Sequence, residues 1–232
     1  MIDAHAHPQL FQINNFALHT GVFAASTQKK DWHQLLQLQQ CNPKIRVGIG
    51  VHPWWAHVYP HQERHQVVAQ MDKLLFHNPK LFVGEVGLDR SQKHRATFAE
   101  QISILKPQLA LAKKYDRSVV THMVRASEDL SAVLQTYAPL RIYVHGFTGH
   151  PEVTKRFPGC WFGFTLATLR LEKVRKSVAI IPDNKILVES DGQVNWMNIY
   201  PTIKIISAIK GWSLRNTKKQ LIKNALEWLN NS

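Results

Sequence analysis

The chain has 232 residues, enough to bury the core of one large α/β domain or of two small ones. Hydrophobic residues make up 44%, the usage of a globular protein, and no Gly/Ser- or Pro-rich linker divides the sequence, so a single domain over residues 1–232 is expected. A formal net charge of +13 suits a polyanionic partner and equally a basic, solubilising surface. No apolar run reaches the roughly 18 residues of a membrane span, and the first residues lack the basic and apolar regions of a signal peptide. Cys41 and Cys160 lie far apart and match no metal or disulfide spacing, which agrees with a reducing cytoplasm.

The opening run, Ile2-Asp3-Ala4-His5-Ala6-His7, reads as a strand. Residues i and i+2 of a strand share a face, so His5 and His7 aim at one spot and form half of a metal site. Val22 to Thr27 is a second strand, followed by a helix over Lys29 to Gln40. Val47 to Val51 is a third, closed by Gly50-Val51-His52-Pro53, because Pro53 cannot continue a ladder. A helix over Gln62 to His77 leads to a fourth strand, Leu81 to Val86, and to Gly87-Leu88-Asp89. The helical stretch Phe98 to Lys114 is expected to break near Pro107. Ser118 to His122 is a fifth strand, and Leu130 to Leu134 lies in a helix. Ile142 to Val144 is a sixth strand with His145 at its tip, and Trp161 to Phe164 a seventh. Leu171 to Ile180 is helical, and the eighth strand, Ile186 to Val188, ends in Glu189-Ser190-Asp191. Two helices close the chain. The last has Ser213 as N-cap and Leu214, Leu221, Ile222, Leu226 and Leu229 as its apolar face.

Short strands that are apolar throughout are buried on both faces, and their strict alternation with helices predicts a parallel sheet. Eight such units at this length predict a closed (β/α)8 TIM barrel. An open doubly wound sheet is the runner-up, and it lacks the expected Gly-rich phosphate turn. In a barrel, polar residues at the carboxyl ends of strands converge at one mouth. Those residues are His5, His7, Glu85, His122, His145 and Asp191, with His52 nearby. This is a donor set for divalent metals. His19, His33, His57, His61, His65, His77, His94 and His150 fall in helices or loops and read as solvated or locally bonded.

The ordered motifs Ile2-Asp3-Ala4-His5-Ala6-His7, Gly50-Val51-His52-Pro53, Gly84-Glu85-Val86-Gly87-Leu88-Asp89, Thr121-His122, Val144-His145-Gly146-Phe147-Thr148-Gly149 and Leu187-Val188-Glu189-Ser190-Asp191 resemble the TatD family of metal-dependent deoxyribonucleases, within the amidohydrolase superfamily. The resemblance covers essentially the whole chain. It implies a hydrolase that cleaves phosphodiester bonds of DNA with a metal-activated water and two divalent ions (Zn, Mg or Mn). It further implies that His5, His7, Glu85 and Asp191 hold one ion and that Glu85, His122 and His145 hold the other. Asp191 would also orient or deprotonate the water. His52 is expected to touch a phosphate oxygen or to orient a ligand, and Glu189 to sit near the metal as a supporting group. Asp3 is expected to bond within the barrel, and Asp89 and Arg90 to lie on a loop.

The chain departs from the family pattern at Gly146-Phe147-Thr148, where Cys-Phe-Ser is usual, and at Ser190, Gly192 and Gln193 of the last motif. The Arg common two residues after the strand-five histidine is absent, and Arg125 stands three residues on as the substrate-binding candidate. Residues 194–198 replace a basic, Asn-rich segment. These changes remove no ligand and alter the substrate-facing surface. The alternatives are therefore a superfamily hydrolase of a small ester, lactone or amide, and a non-catalytic nucleic-acid-binding protein. Most of the positive charge belongs to outer helices. Arg90, Lys93, Arg95, Arg125, Lys155 and Arg156 are the cations expected to reach DNA.

Overall fold

The computed structural model describes residues 1–10, 21–192 and 196–229. Eight parallel strands form one sheet in sequence order: β1 (Ile2–Ala6), β2 (Gly21–Ala25), β3 (Ile45–Ile49), β4 (Phe82–Asp89), β5 (Val119–Val124), β6 (Ile142–Val144), β7 (Trp161–Phe164) and β8 (Ile186–Val188). The sheet closes beyond β8, where the Asp191 amide donates to the His5 carbonyl at 3.0 Å and the His7 amide to the Gly192 carbonyl at 2.9 Å. The helices are α1 (Asp31–Cys41), α2 (His61–His77), α3 (Phe98–Lys114), α4 (Ser127–Gln135), α5 (Pro151–Thr154), α6 (Glu172–Ile180), α7 (Trp196–Lys210) and α8 (Leu214–Leu229). The result is the expected TIM barrel. His19 and residues 193–195 of the altered last motif lie outside the described residues.

Aliphatic side chains on the outward face of the strands, such as Ile45, Val47, Ile49 and Val119, pack under helix residues such as Leu75 of α2 and Leu105 of α3. A second cluster fills the floor at the amino ends of the strands. Its plug is the buried Trp228 of α8, whose ring lies 5.5 Å from Phe23, 5.3 Å from Phe82 and 5.4 Å from Tyr143. With the floor filled by apolar side chains, the polar residues are left to the opposite end.

Four expectations change. The helix does not break at Pro107: α3 runs through it. A helix-interior proline costs about 3 kcal/mol, and the buried flank of Ile104, Leu105, Gln108 and Leu109 offsets it. Gln108 also accepts from the Val51 amide at 2.7 Å, tying the helix to the turn after β3. The inner face of α8 is Thr217, Leu221, Asn224, Ala225 and Trp228, while Leu214 and Leu226 are exposed. The large indole sets the face, and Asn224 satisfies the Asp183 and Ile186 carbonyls at 2.7 and 2.8 Å. Ser213 does cap α8, accepting from the Asn216 amide at 3.2 Å. Strand β4 runs on to Asp89, which is therefore a buried strand residue and not a loop residue. Strand β5 likewise continues past His122 to Val124. No helix among the described residues is long and apolar enough to cross a membrane.

Candidate metal centre

Glu85 projects from β4 into the barrel mouth and is buried. Its two carboxylate oxygens face different histidines. Oε2 lies 3.2 Å from His5 Nε2 and 3.1 Å from His7 Nε2. Oε1 lies 2.9 Å from His52 Nε2, 2.9 Å from His122 Nδ1 and 2.7 Å from His145 Nε2. The i, i+2 rule holds for the first pair: His5 Nε2 and His7 Nε2 are 3.1 Å apart. Asp191, on the turn after β8, places Oδ1 3.9 Å from both His5 Nε2 and His145 Nδ1.

The donor set fits divalent ions. Neutral imidazoles do not pack ring nitrogen against ring nitrogen for their own sake. Two nitrogens bound to one tetrahedral ion at 2.0–2.1 Å are about 3.3 Å apart. The His5–His7 separation of 3.1 Å and the His122–His145 separation of 3.4 Å match that spacing. Hydrogen bonds on the far side of each ring assign the tautomers. His7 donates Nδ1–H to the Ala25 carbonyl at 2.9 Å, which leaves a lone pair on Nε2. His122 turns Nε2 to Asp89 Oδ2 at 3.2 Å, which directs Nδ1 at Glu85. His52 is the opposite case. Its Nδ1 accepts the Trp54 amide N–H at 3.1 Å, so Nε2 carries the proton and donates it to Glu85. His52 therefore offers an N–H inside the site, whereas His7 offers an electron pair.

Electrostatics separate these groups further. Burial pushes up the Glu85 carboxyl, but the surrounding imidazoles of His145, His52 and His122 outweigh it and hold the group well below the usual range. Burial and neighbouring imidazoles push His5 and His52 down to about 4, so both are neutral at pH 7. His122 is buried too, yet its bonds to Asp89 and Glu85 push it up to about 9, so without an ion it is an imidazolium at pH 7, and an ion held by Nδ1 would displace that proton. Asp191 is held below its ordinary value, against burial, by His145 and His5. Glu189 goes the other way. Burial and the nearby Asp191 push it well above the usual range. Its carboxyl bonds the Tyr143 hydroxyl and accepts the Gly146 amide at 2.5 Å. Asp3, pushed up to about 7 by burial, accepts the Ser190 amide at 2.9 Å and so fixes the turn carrying Asp191.

The mouth thus brings together His5, His7, His52, Glu85, His122, His145 and Asp191. Arg125 stands apart as an exposed residue with φ of 52° just beyond β5. Arg90 is paired with Asp129 at 2.8 Å and lies over Phe98, while Lys155 pairs with Glu152 and Arg156 with Glu128. His33, His57, His61, His65, His77 and His150 are exposed, as expected. Four residues at the mouth had not been assigned to it. Asp89 anchors His122. Trp54 donates its indole N–H to Asp89 at 2.6 Å, and His94 stacks on Trp54. Arg170, after β7, lines one cleft with Thr165, Ser190 and Asp191. Only Asp89 carried a signal, through its even spacing from Glu85 along one strand.

The chain matches the family described as "TatD related DNase" over residues 2–230. It is 32% identical to the human "3'-5' RNA nuclease TATDN2" over 69% of this chain and 21% of that protein, about one fifth of the relative's length. It is 26% identical to the human "Deoxyribonuclease TATDN3" over 89% of this chain and 82% of that one. The crystal structure of YjjV, a TatD homologue from Escherichia coli, superposes with a TM-score of 0.84 at 22% identity, covering 100% of this chain and 98% of the other. With the motifs in order, the barrel closed and the donor set at its mouth, the chain belongs to the TatD family of metal-dependent hydrolases.

Proposed function

We propose that the chain is a deoxyribonuclease that hydrolyses phosphodiester bonds with two divalent ions (Zn, Mg or Mn) at the barrel mouth. The observation that carries this reading is the Glu85 carboxylate, with Oε2 turned to His5 and His7 and Oε1 to His122 and His145. A carboxylate shared in that way is what a pair of ions a few ångströms apart requires. His5, His7, Glu85 and Asp191 would hold one ion, and Glu85, His122 and His145 the other. When bound, the ions would supply Lewis-acid polarisation of a phosphoryl oxygen and acidify water into the neutral range.

The chain's own residues do the rest. Asp191 is an exposed carboxylate at the mouth, held ionised by His145 and His5, and it accepts a proton from the attacking water. Asp3 and the His5 carbonyl hold its backbone in place through the Ser190 and Asp191 amides. His52 donates Nε2–H toward Glu85, which makes it an orienting group and not a ligand. Glu189 braces the turn after β6, and burial beside Asp191 disfavours a second negative charge there. Arg170, in the cleft beside Asp191, and Arg125, exposed beyond β5, are the cations proposed to meet the phosphate backbone. Two free cysteines, Cys41 and Cys160, suit a cytoplasmic location.

The test is a metal-supplemented activity screen on single-stranded DNA, double-stranded DNA, RNA and chromogenic esters, with Asp191→Asn as control. DNA cleavage that needs both metal and Asp191 is the expected result. Ester turnover without any nucleic-acid cleavage overturns the nuclease reading.

A further inference from the structure

Next to the site stands an aromatic stack that the reaction chemistry does not use. Trp54 is 42% exposed, unusual for so large a side chain. It sits at the start of the turn after β3, directly beyond His52. Its ring lies 4.7 Å from His52 and 5.7 Å from His122, so it borders the metal centre edge to face. His94, from the segment after β4, lies flat on it, with centroids 5.0 Å apart and 11° between planes. Lys93 brings its ammonium within 5.9 Å of the indole. The indole N–H donates to Asp89, itself bonded to Ser91 and His122, so the ring cannot swing away without losing that bond.

We propose that the Trp54–His94 pair is a nucleobase platform: an unpaired base next to the scissile phosphate stacks on it, while Lys93 contacts the adjoining phosphate. A flat aromatic pair, part-exposed and held rigid, costs little side-chain entropy on binding, and every base has a face to offer it. A small ester or lactone needs no such surface. A base inside a duplex cannot reach it without unstacking, so the platform selects single-stranded or frayed ends. This proposal rests on the nuclease reading and deepens it.

The test pairs a change in the protein with a change in the substrate. The probe is a labelled, phosphorothioate-linked oligothymidylate, intact or with one abasic position moved along the strand, and binding is read by fluorescence anisotropy in Mn²⁺. Trp54→Phe and Trp54→Leu both lose the bond to Asp89, and only Trp54→Phe keeps a ring. One abasic position should weaken binding to the wild type by roughly 5- to 150-fold. Trp54→Leu should bind the intact strand correspondingly more weakly and lose the abasic penalty, and Trp54→Phe should retain most of both. Equal penalties in wild type and Trp54→Leu, or equal loss in Trp54→Phe and Trp54→Leu, overturn the platform and leave the nuclease reading standing. A wild-type enzyme that neither binds nor cleaves the oligonucleotides overturns both.

Discussion

Asp89 Oδ2 lies 3.2 Å from His122 Nε2, and that bond turns Nδ1 of the same ring onto Glu85 at 2.9 Å. A carboxylate behind a ligating histidine fixes its tautomer and raises its basicity. Asp89→Asn keeps the size of the side chain and removes its charge. The expected outcome is a loss of about 10- to 100-fold in metal affinity, measured by chelator competition, with the far-ultraviolet circular dichroism unchanged. Wild-type affinity in this variant would show that Asp89 serves Trp54 and Ser91 alone.

Asp191 and Glu85 separate proton handling from metal holding. Asp191→Asn should lower turnover by at least about 10²–10⁴-fold while the barrel stays folded. Glu85→Gln should empty both ion positions together, because its two oxygens face the two histidine sets. Metal analysis by plasma emission decides the point. Loss of one ion only would sink the bridging assignment, and near-wild-type turnover of Asp191→Asn with metal present would remove its role.

Much of this arrangement was legible before the fold was known. The strands could be read because each is a short apolar run buried on both faces, and their order was enough for a barrel. His5, His7, Glu85, His122, His145 and Asp191 could be read because a barrel gathers strand ends at one mouth. The direction of the His52 ring could not. It depends on a backbone amide, that of Trp54, in the turn that Pro53 begins. Asp89 was hidden by Gly84 and Gly87, which punctuate β4 and suggest that it ends early. The cause is tertiary: at Gly87, with φ of 148°, a side chain would run into the His122 backbone, so the glycine permits close β4–β5 pairing instead of stopping the strand. Trp54 and Arg170 sit in short 3-10 helices and His94 just before another, segments too short for periodicity to report direction.

The floor gives a stability test that leaves the mouth untouched. Trp228 is fully buried against Phe23, Phe82 and Tyr143, and its indole N–H donates to the Arg141 carbonyl at 3.2 Å. Trp228→Ala should cost about 3–5 kcal/mol, seen as a lower urea midpoint. A shift of less than about 1 kcal/mol would mean that α8 does not plug the barrel.

The two cysteines should differ in reactivity. Cys41 is exposed, while burial pushes the Cys160 thiol up to about 12 against the opposing pull of Lys185. The thiolate is the nucleophile, and at pH 8 a thiol of that pKa is ionised to about one part in 10⁴. Iodoacetamide at pH 8 should therefore modify Cys41 alone, as peptide mass spectrometry can establish. Comparable labelling of Cys160 would mean that it is open to solvent.

Salt dependence tests which cations meet the substrate. Arg90, Lys155 and Arg156 each have a carboxylate partner, and a cation already paired releases fewer counterions on binding. Arg125 is exposed beyond β5, and Arg170 lines the cleft beside Asp191. Each phosphate contact adds about 0.7 to the slope of log K against log salt on single strands and about 0.9 on duplex. With so few cations at the mouth, the slope should be shallow, on the order of 2 to 4, despite a net charge of +13. Arg170→Ala and Arg125→Ala should each reduce it by roughly one contact, and Lys218→Ala, on the outer helix α8, should leave it unchanged. An equal reduction in Lys218→Ala would place the bound strand on the outside of the barrel. A slope near zero with ester hydrolysis intact would mean that the substrate is small and that the charge is there for solubility.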